Sequence, residues 1–296
     1  MRIAVFVTCW GDALFPATGR AVVRLLEHLG HEVVFDPAQT CCGHMHWTAG
    51  YHPEATALAR RLTEMFTGHE LIVTPSASCA ATVRTAYPRM DPALAGLPVY
   101  ELSELLVDVL GVTDVGARYP HRVTYQPTCH SLRALGLGDR PLRLLRAVRD
   151  LELADLPEAG ECCGFGGAFA MKNADTSVAM VADKIARIHE TGAEVVCAAD
   201  DSCLTHLGGA LSRLRSGVRA VHLAEILASG LGPAEPARTP DDAGRTTGTA
   251  PRSDTPRRET RRSDAPRSDV LRSDAPGPDV PGPDKPRSDV PRSDAP

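Results

Sequence analysis

The sequence predicts an α/β fold of two pseudo-twofold-related cysteine-rich domains, each a parallel sheet with flanking helices, followed by a disordered C-terminal tail. Three observations predict it. One cysteine pattern occurs twice, strand-length apolar runs alternate with helical periodicities, and the composition changes abruptly near Gly232. The expected boundaries are residues 1–118 and 119–231 for the two domains and 232–296 for the tail.

The cysteine pattern is the strongest signal. Cys9, then Cys41-Cys42-Gly43, then Cys79 occupy the first half. Cys129, then Cys162-Cys163-Gly164, then Cys203 occupy the second. The intervening stretches are 31 and 36 residues in the first copy and 32 and 39 in the second. Eight of the nine cysteines therefore belong to a repeat. Thiols scattered as small core hydrophobes keep no such spacing. Thiols at fixed offsets point to a bound metal or redox centre in each half.

The elements follow in order. Ile3–Val7 is a short apolar run suited to a buried parallel strand, and Cys9 follows its end. Thr18–Leu29 has helical spacing and is closed by Gly30. Val33–Phe35 reads as a strand, with the Cys41-Cys42 pair in the loop after it. A helix over Pro53–Phe66 leads to the strand Leu71–Val73, and Cys79 opens the next helix. The second half repeats the order. Arg122–Tyr125 is a strand followed by Cys129, Pro141–Val148 a helix, and Asp150–Leu153 a strand. The Cys162-Cys163 pair lies in a Gly-rich loop, Asp175–Thr191 is a helix, Glu194–Ala198 a strand, and Cys203 falls in the turn after it. In parallel sheets ligands sit beyond the carboxyl ends of the strands, and every repeat cysteine falls there.

Composition excludes several classes. The net charge is −5, carried by residues 1–232, with 20 basic and 25 acidic residues and no basic patch, so nucleic acid is not an expected partner. No apolar run reaches the length of a membrane span. Met1–Cys9 reads as a strand rather than a signal peptide, so a cytoplasmic location is expected. In a reducing compartment a disulfide framework gives way to metal or redox chemistry.

Adjacent cysteines narrow that chemistry. Neighbouring side chains diverge, so binding one small ion with both is strained, whereas a cluster offers each thiolate its own iron. Iron–sulfur clusters take four cysteine thiolates, and each half supplies four. The expectation is one iron–sulfur cluster per half, of the 4Fe-4S type, held by Cys9, Cys41, Cys42 and Cys79 and by Cys129, Cys162, Cys163 and Cys203. Structural zinc uses C-x2-C knuckles, absent here, though zinc or a bare thiol redox pair stays an alternative. Gly43 and Gly164-Phe165-Gly166-Gly167 allow backbone N–H groups to approach cluster sulfurs. His44, His46, His52, His130 and His206 lie near the motifs and can serve as iron ligands, proton carriers, holders of a substrate carboxylate or plain structural residues. Cys197 competes with Cys203 for the last position. The turn Asp201-Ser202-Cys203-Leu204 mirrors Ala77-Ser78-Cys79-Ala80 and favours Cys203. No Gly-x-Gly-x-x-Gly follows a strand and opens a helix, and no catalytic residue is assigned.

At these residues the chain resembles the cysteine-rich CCG-domain family. The matching stretches are Phe6–Leu14, Cys41-Cys42-Gly43, Ser76–Cys79, Pro127-Thr128-Cys129, Cys162–Phe169, Ser202-Cys203-Leu204 and His222–Leu227. The similarity is greatest to the branch of iron–sulfur proteins that acts in lactate utilisation. The resemblance implies an iron–sulfur oxidoreductase subunit that takes part in L-lactate oxidation. It implies two partner subunits, one of them ferredoxin-like, and a small 2-hydroxy acid as substrate of the complex. Family relatives leave other readings open: the iron–sulfur subunit of a glycolate oxidase, a heterodisulfide-reductase-like subunit, or a non-enzymatic metal-stabilised assembly subunit. Halves of the heterodisulfide reductase type end in C-x2-C, but here Cys79 precedes Ala80-Ala81-Thr82 and Cys203 precedes Leu204-Thr205-His206. The missing fifth thiol argues against disulfide-cleaving cluster chemistry. The lactate branch also tends to carry Gln-Pro after the first pair, where this chain reads His44-Met45.

Residues 233–296 hold 13 of the 24 prolines, 12 basic and 12 acidic residues, and no aromatic residue. Such a segment cannot bury enough apolar surface to offset its chain entropy. Truncation after Gly232 is therefore expected to leave metal content and melting temperature unchanged, as metal analysis and a thermal melt of the shortened chain would read; a large loss of either contradicts the expectation.

Overall fold

The computed structural model describes residues 1–232, and the tail expectation lies outside them. The apolar runs form short parallel strands: β1 (Arg2–Val5), β2 (Glu32–Val34), β3 (Ile72–Thr74) and β4 (Val99–Glu101) in the first half, and β5 (Arg122–Tyr125), β6 (Glu152–Ala154), β7 (Val195–Ala198) and β8 (Arg219–His222) in the second. They make two four-stranded parallel sheets, ordered β2-β1-β3-β4 and β6-β5-β7-β8. Registers correspond: Ala4 pairs with Ile72 in one sheet, Thr124 with Val196 in the other.

Helices return the chain between strands. In the first half these are α1 (Cys9–Leu14), α2 (Pro16–His28), α3 (His44–Ala49), α4 (His52–Phe66), α5 (Ala77–Ala81), α6 (Tyr87–Met90) and α7 (Leu102–Glu104). In the second they are α8 (Arg140–Ala147), α9 (Ala168–Lys172), α10 (Ala174–Glu190), α11 (Asp201–Arg213) and α12 (Leu223–Leu227). Single π-helical turns occur at Thr82–Ala86, Leu105–Val109 and Ser131–Leu135. No helix among the described residues is long and apolar enough to cross a membrane.

Three expectations shift. The first strand ends at Val5 rather than Val7, because the Val7 N–H donates to Gln39 Oε1 at 2.9 Å instead of to a neighbouring strand. The strand expected from Asp150 begins at Glu152, since Asp150 has φ of +60° and makes a turn. Cys203 lies not in a turn but in the opening turn of α11.

Alternation along the strands divides the core. Ile3, Val5 and Val73 face one apolar cluster with Val123, Tyr125, Val195 and Cys197 of the other sheet. Ala4, Phe6 and Ile72 face the opposite way, onto Leu62 and Phe66 of α4. Val196 likewise faces Val181, Ile185 and Ile188 of α10. The period of two in a strand thus gives each sheet a private face and a face shared between halves. The pairing across the shared core is itself pseudo-symmetric: α12 packs on α2, as α7 packs on α8. Arg24 Nη2 donates to the Ala228 carbonyl across the same junction.

A shared core predicts one cooperative unit. Ile226→Ala in α12, fully buried against the first half, is expected to cost about 2–5 kcal/mol and to lower a single melting transition of the whole chain. Differential scanning calorimetry would refute this by resolving two transitions of which only one moves.

Candidate metal centre

Parallel strands place their carboxyl ends, and so the cysteines, at one edge of each sheet. Cys9 opens α1, where Thr8 Oγ1 accepts the Gly11 N–H at 3.0 Å. Cys129 follows Thr128 in the same way, with Thr128 Oγ1 accepting the Ser131 N–H at 3.2 Å. The pairs Cys41-Cys42 and Cys162-Cys163 lie in the loops before α3 and α9. Each is followed by a glycine with left-handed backbone, φ +82° at Gly43 and +86° at Gly164. A Cβ on Gly164 would stand 2.7 Å from the Ser177 carbonyl oxygen, so only glycine fits. The N–H groups of Gly43 and Gly164 donate back to Cys41 Sγ at 3.3 Å and Cys162 Sγ at 3.4 Å. Cys79 and Cys203 lie in the first turns of α5 and α11, behind the N-caps Ser76 and Asp200.

All eight cysteines line one cavity of about 90 Å³ between the halves. The Cys42 thiol donates to Cys79 Sγ at 3.2 Å, and thiol contacts also join Cys9 to Cys41, Cys129 to Cys162 and Cys163 to Cys203. Cys197, fully buried in β7, does not reach the cavity. Among the described residues no three His, Cys, Asp or Glu side chains are disposed to hold a single ion.

Charge is distributed unevenly within each tetrad. Close contacts with the Cys42 and Cys9 sulfurs, then the hydrogen bond from the Gly43 N–H, hold Cys41 below the ordinary thiol range. Cys162 is lowered likewise by Cys129, Cys163 and the Gly164 N–H. Their partners Cys9, Cys42, Cys129 and Cys163 are pushed up, first by donating to a neighbouring sulfur and then by burial. Each set thus favours one thiolate and keeps two neighbours protonated. A cationic centre reverses that balance and lets the remaining thiols ionise, so the donor set fits a thiolate-ligated metal group.

The walls break the symmetry. His44 and Phe165 occupy equivalent positions after the pairs, as Trp10 and His130 do after the first cysteines. The rings of His44 and His130 meet edge-on at 4.9 Å, and those of Trp10 and Phe165 at 5.5 Å. One end of the cavity is imidazole and the other is aromatic hydrocarbon. Burial, then the neighbouring His130, lowers His44 to about 4, so the ring is neutral at pH 7. Its Nδ1–H donates to Thr82 Oγ1 at 2.7 Å, and the Trp10 Nε1–H donates to Thr205 Oγ1 at 2.7 Å. His206 lies behind Phe165, 3.1 Å from Ser177 Oγ. His46 and His52 do not line the cavity; His52 stacks on Trp47 at 4.4 Å. Thr82 and His206 stand three residues after the last cysteines, where a fifth thiol would fall.

Sequence reasoning gave no role to Trp10, Asp200, Asp201, Ser76 or Ser78, all of which line the cavity. One signal for two of them was available. Ser76 and Asp200 precede Cys79 and Cys203 by three residues, the spacing at which an N-cap addresses a helix's first turn.

The chain belongs to the cysteine-rich CCG domain family, whose model matches residues 3–84 and 123–208. Lactate utilization protein A of an Exiguobacterium species is 43% identical over 241 residues, covering 78% of this chain and 98% of that protein. The protein of the same name from Geobacillus kaustophilus is 43% identical over 236 residues, covering 77% and 98%. That of Oceanobacillus iheyensis is 39% identical over 236 residues, covering 77% and 96%.

The placement of the ninth cysteine generates a direct test. Cys203→Ser is expected to lose the metal of the second tetrad, whereas Cys197→Ala retains it, by metal quantification on the two purified variants. The reverse pattern would make the strand cysteine the ligand.

Proposed function

We propose that the chain is an iron–sulfur oxidoreductase subunit that takes part in L-lactate utilisation and passes electrons with partner subunits, one of them ferredoxin-like. The observation that carries this reading is the convergence of two cysteine tetrads on one cavity. Similarity to lactate utilization protein A along nearly the whole of that protein's length supplies the physiological setting. Cys9, Cys41, Cys42 and Cys79 hold one 4Fe-4S cluster, and Cys129, Cys162, Cys163 and Cys203 the other. Such clusters accept and release single electrons.

The chain's own residues do the rest. The N–H groups of Gly43 and Gly164 stabilise negative charge on sulfur and so tune the potential. Trp10 and Phe165 put apolar rings, in edge-on contact, at one end of the cavity. No lysine or arginine is among the residues lining it, while Asp200, held below the usual carboxylate range, is. Such a lining disfavours a free carboxylate, which supports holding the 2-hydroxy acid on a partner subunit and handling electrons here.

Anaerobic purification of the full chain tests the reading. The protein is expected to be brown, to contain iron with acid-labile sulfide, and to give electron paramagnetic resonance signals on reduction. Colourless protein with stoichiometric zinc, after iron–sulfur reconstitution has been attempted, overturns it.

A further inference from the structure

The helices carrying Cys79 and Cys203 are pseudo-twofold mates, but their N-caps differ: a neutral Ser76 on α5 and a carboxylate, Asp200, on α11. Asp200 serves both helices. Its Oδ1 accepts the Ser202 N–H at 3.2 Å and the Ser202 Oγ–H at 2.6 Å, holding α11. Its Oδ2 crosses to the other half and accepts the Ser78 N–H at 3.0 Å and the Ser76 Oγ–H at 3.1 Å. Ser76 Oγ in turn accepts the Cys79 N–H at 3.2 Å. One carboxylate is therefore linked by hydrogen bonds to the turns that carry both last cysteines. It is 3% exposed and lines the cavity that all eight cysteines share.

Burial alone would push Asp200 up, but hydrogen bonds from Ser202 and Ser78 outweigh it and hold the group below the usual carboxylate range. The side chain is charged at neutral pH. A buried charge is poorly screened by salt, so it acts on both tetrads at short range. Placing a second carboxylate at Ser76 would set like charges against each other across the axis. The observed asymmetry satisfies both helix ends with one.

We propose that Asp200 is a shared positioning residue: its carboxylate locks the helices of Cys79 and Cys203 to each other and sets one fixed negative charge beside both cysteine sites, coupling them. The electrostatic part rests on the iron–sulfur reading above; the locking part does not.

Two full-length variants test it. Asp200→Asn keeps the shape and removes the charge, and its single acceptor oxygen can cap only one of the two helices. Asp200→Ser installs the pseudo-symmetric residue, too short to span the halves. In a redox titration followed by electron paramagnetic resonance, Asp200→Asn is expected to shift both sites to higher potential together. After chelation, iodoacetamide labelling read by mass spectrometry is expected to accelerate at both Cys79 and Cys203 in Asp200→Ser relative to the wild type. A potential shift at one site only, or acceleration at Cys203 alone or at neither cysteine, overturns the proposal. Wild-type protein without iron and sulfide defeats the functional reading instead, and the labelling result then decides the role of Asp200 by itself.

Discussion

Eight thiols share one gap, and most of the molecule is arranged around the electrostatics of that fact. Bare thiolates crowded there repel one another and lose hydration, so the protein supplies donors: the N–H groups of Gly43 and Gly164, and thiols that bond to their neighbours' sulfurs. Parallel strands are the economical way to deliver the ligands, since every carboxyl end lies at the same edge. Docking the two sheets through a common apolar core then turns two edges toward each other. The cavity is a consequence of that docking.

Much of this was legible before the structure. Long, periodic segments such as α2, α4 and α10 announce themselves through their apolar stripe, and β5 spans its expected residues. The eight repeat cysteines were also legible, because fixed spacing survives any fold. What was not legible is what depends on tertiary contact. β4 has three residues and too little pattern to stand out, and α3 buries no residue fully. That the two sets open onto one cavity was not legible, since nothing in a linear repeat tells whether its copies face toward or away from each other. Asp200 stayed hidden for the same reason: a buried carboxylate reads as a helix cap until its second set of donors, from the opposite half, comes into view.

The duplicated frame is used asymmetrically. Equivalent positions hold His44 opposite His130 at one end and Trp10 opposite Phe165 at the other. The fifth-thiol positions hold Thr82 and His206, and each supports a neighbour: Thr82 receives His44, and His206 packs behind Phe165. The repeat preserves where side chains point, while the residues placed there have diverged to polar and apolar ends. Each sulfur set therefore has one imidazole and one aromatic ring after its cysteines, at interchanged positions: Trp10 and His44 in the first, His130 and Phe165 in the second.

The order in which the chain is made gives the shared cavity a temporal side. Cys9, Cys41, Cys42 and Cys79 all precede residue 80, so the first tetrad's thiols are synthesised long before the wall residues His130, Phe165 and Asp200 that close over them. During that interval the first-half residues destined for the common core have no partners from the second half. Biosynthesis thus passes through a stage with reactive thiols beside an uncovered apolar surface. The second half supplies the cover for both, and only when nearly all of the described chain has emerged.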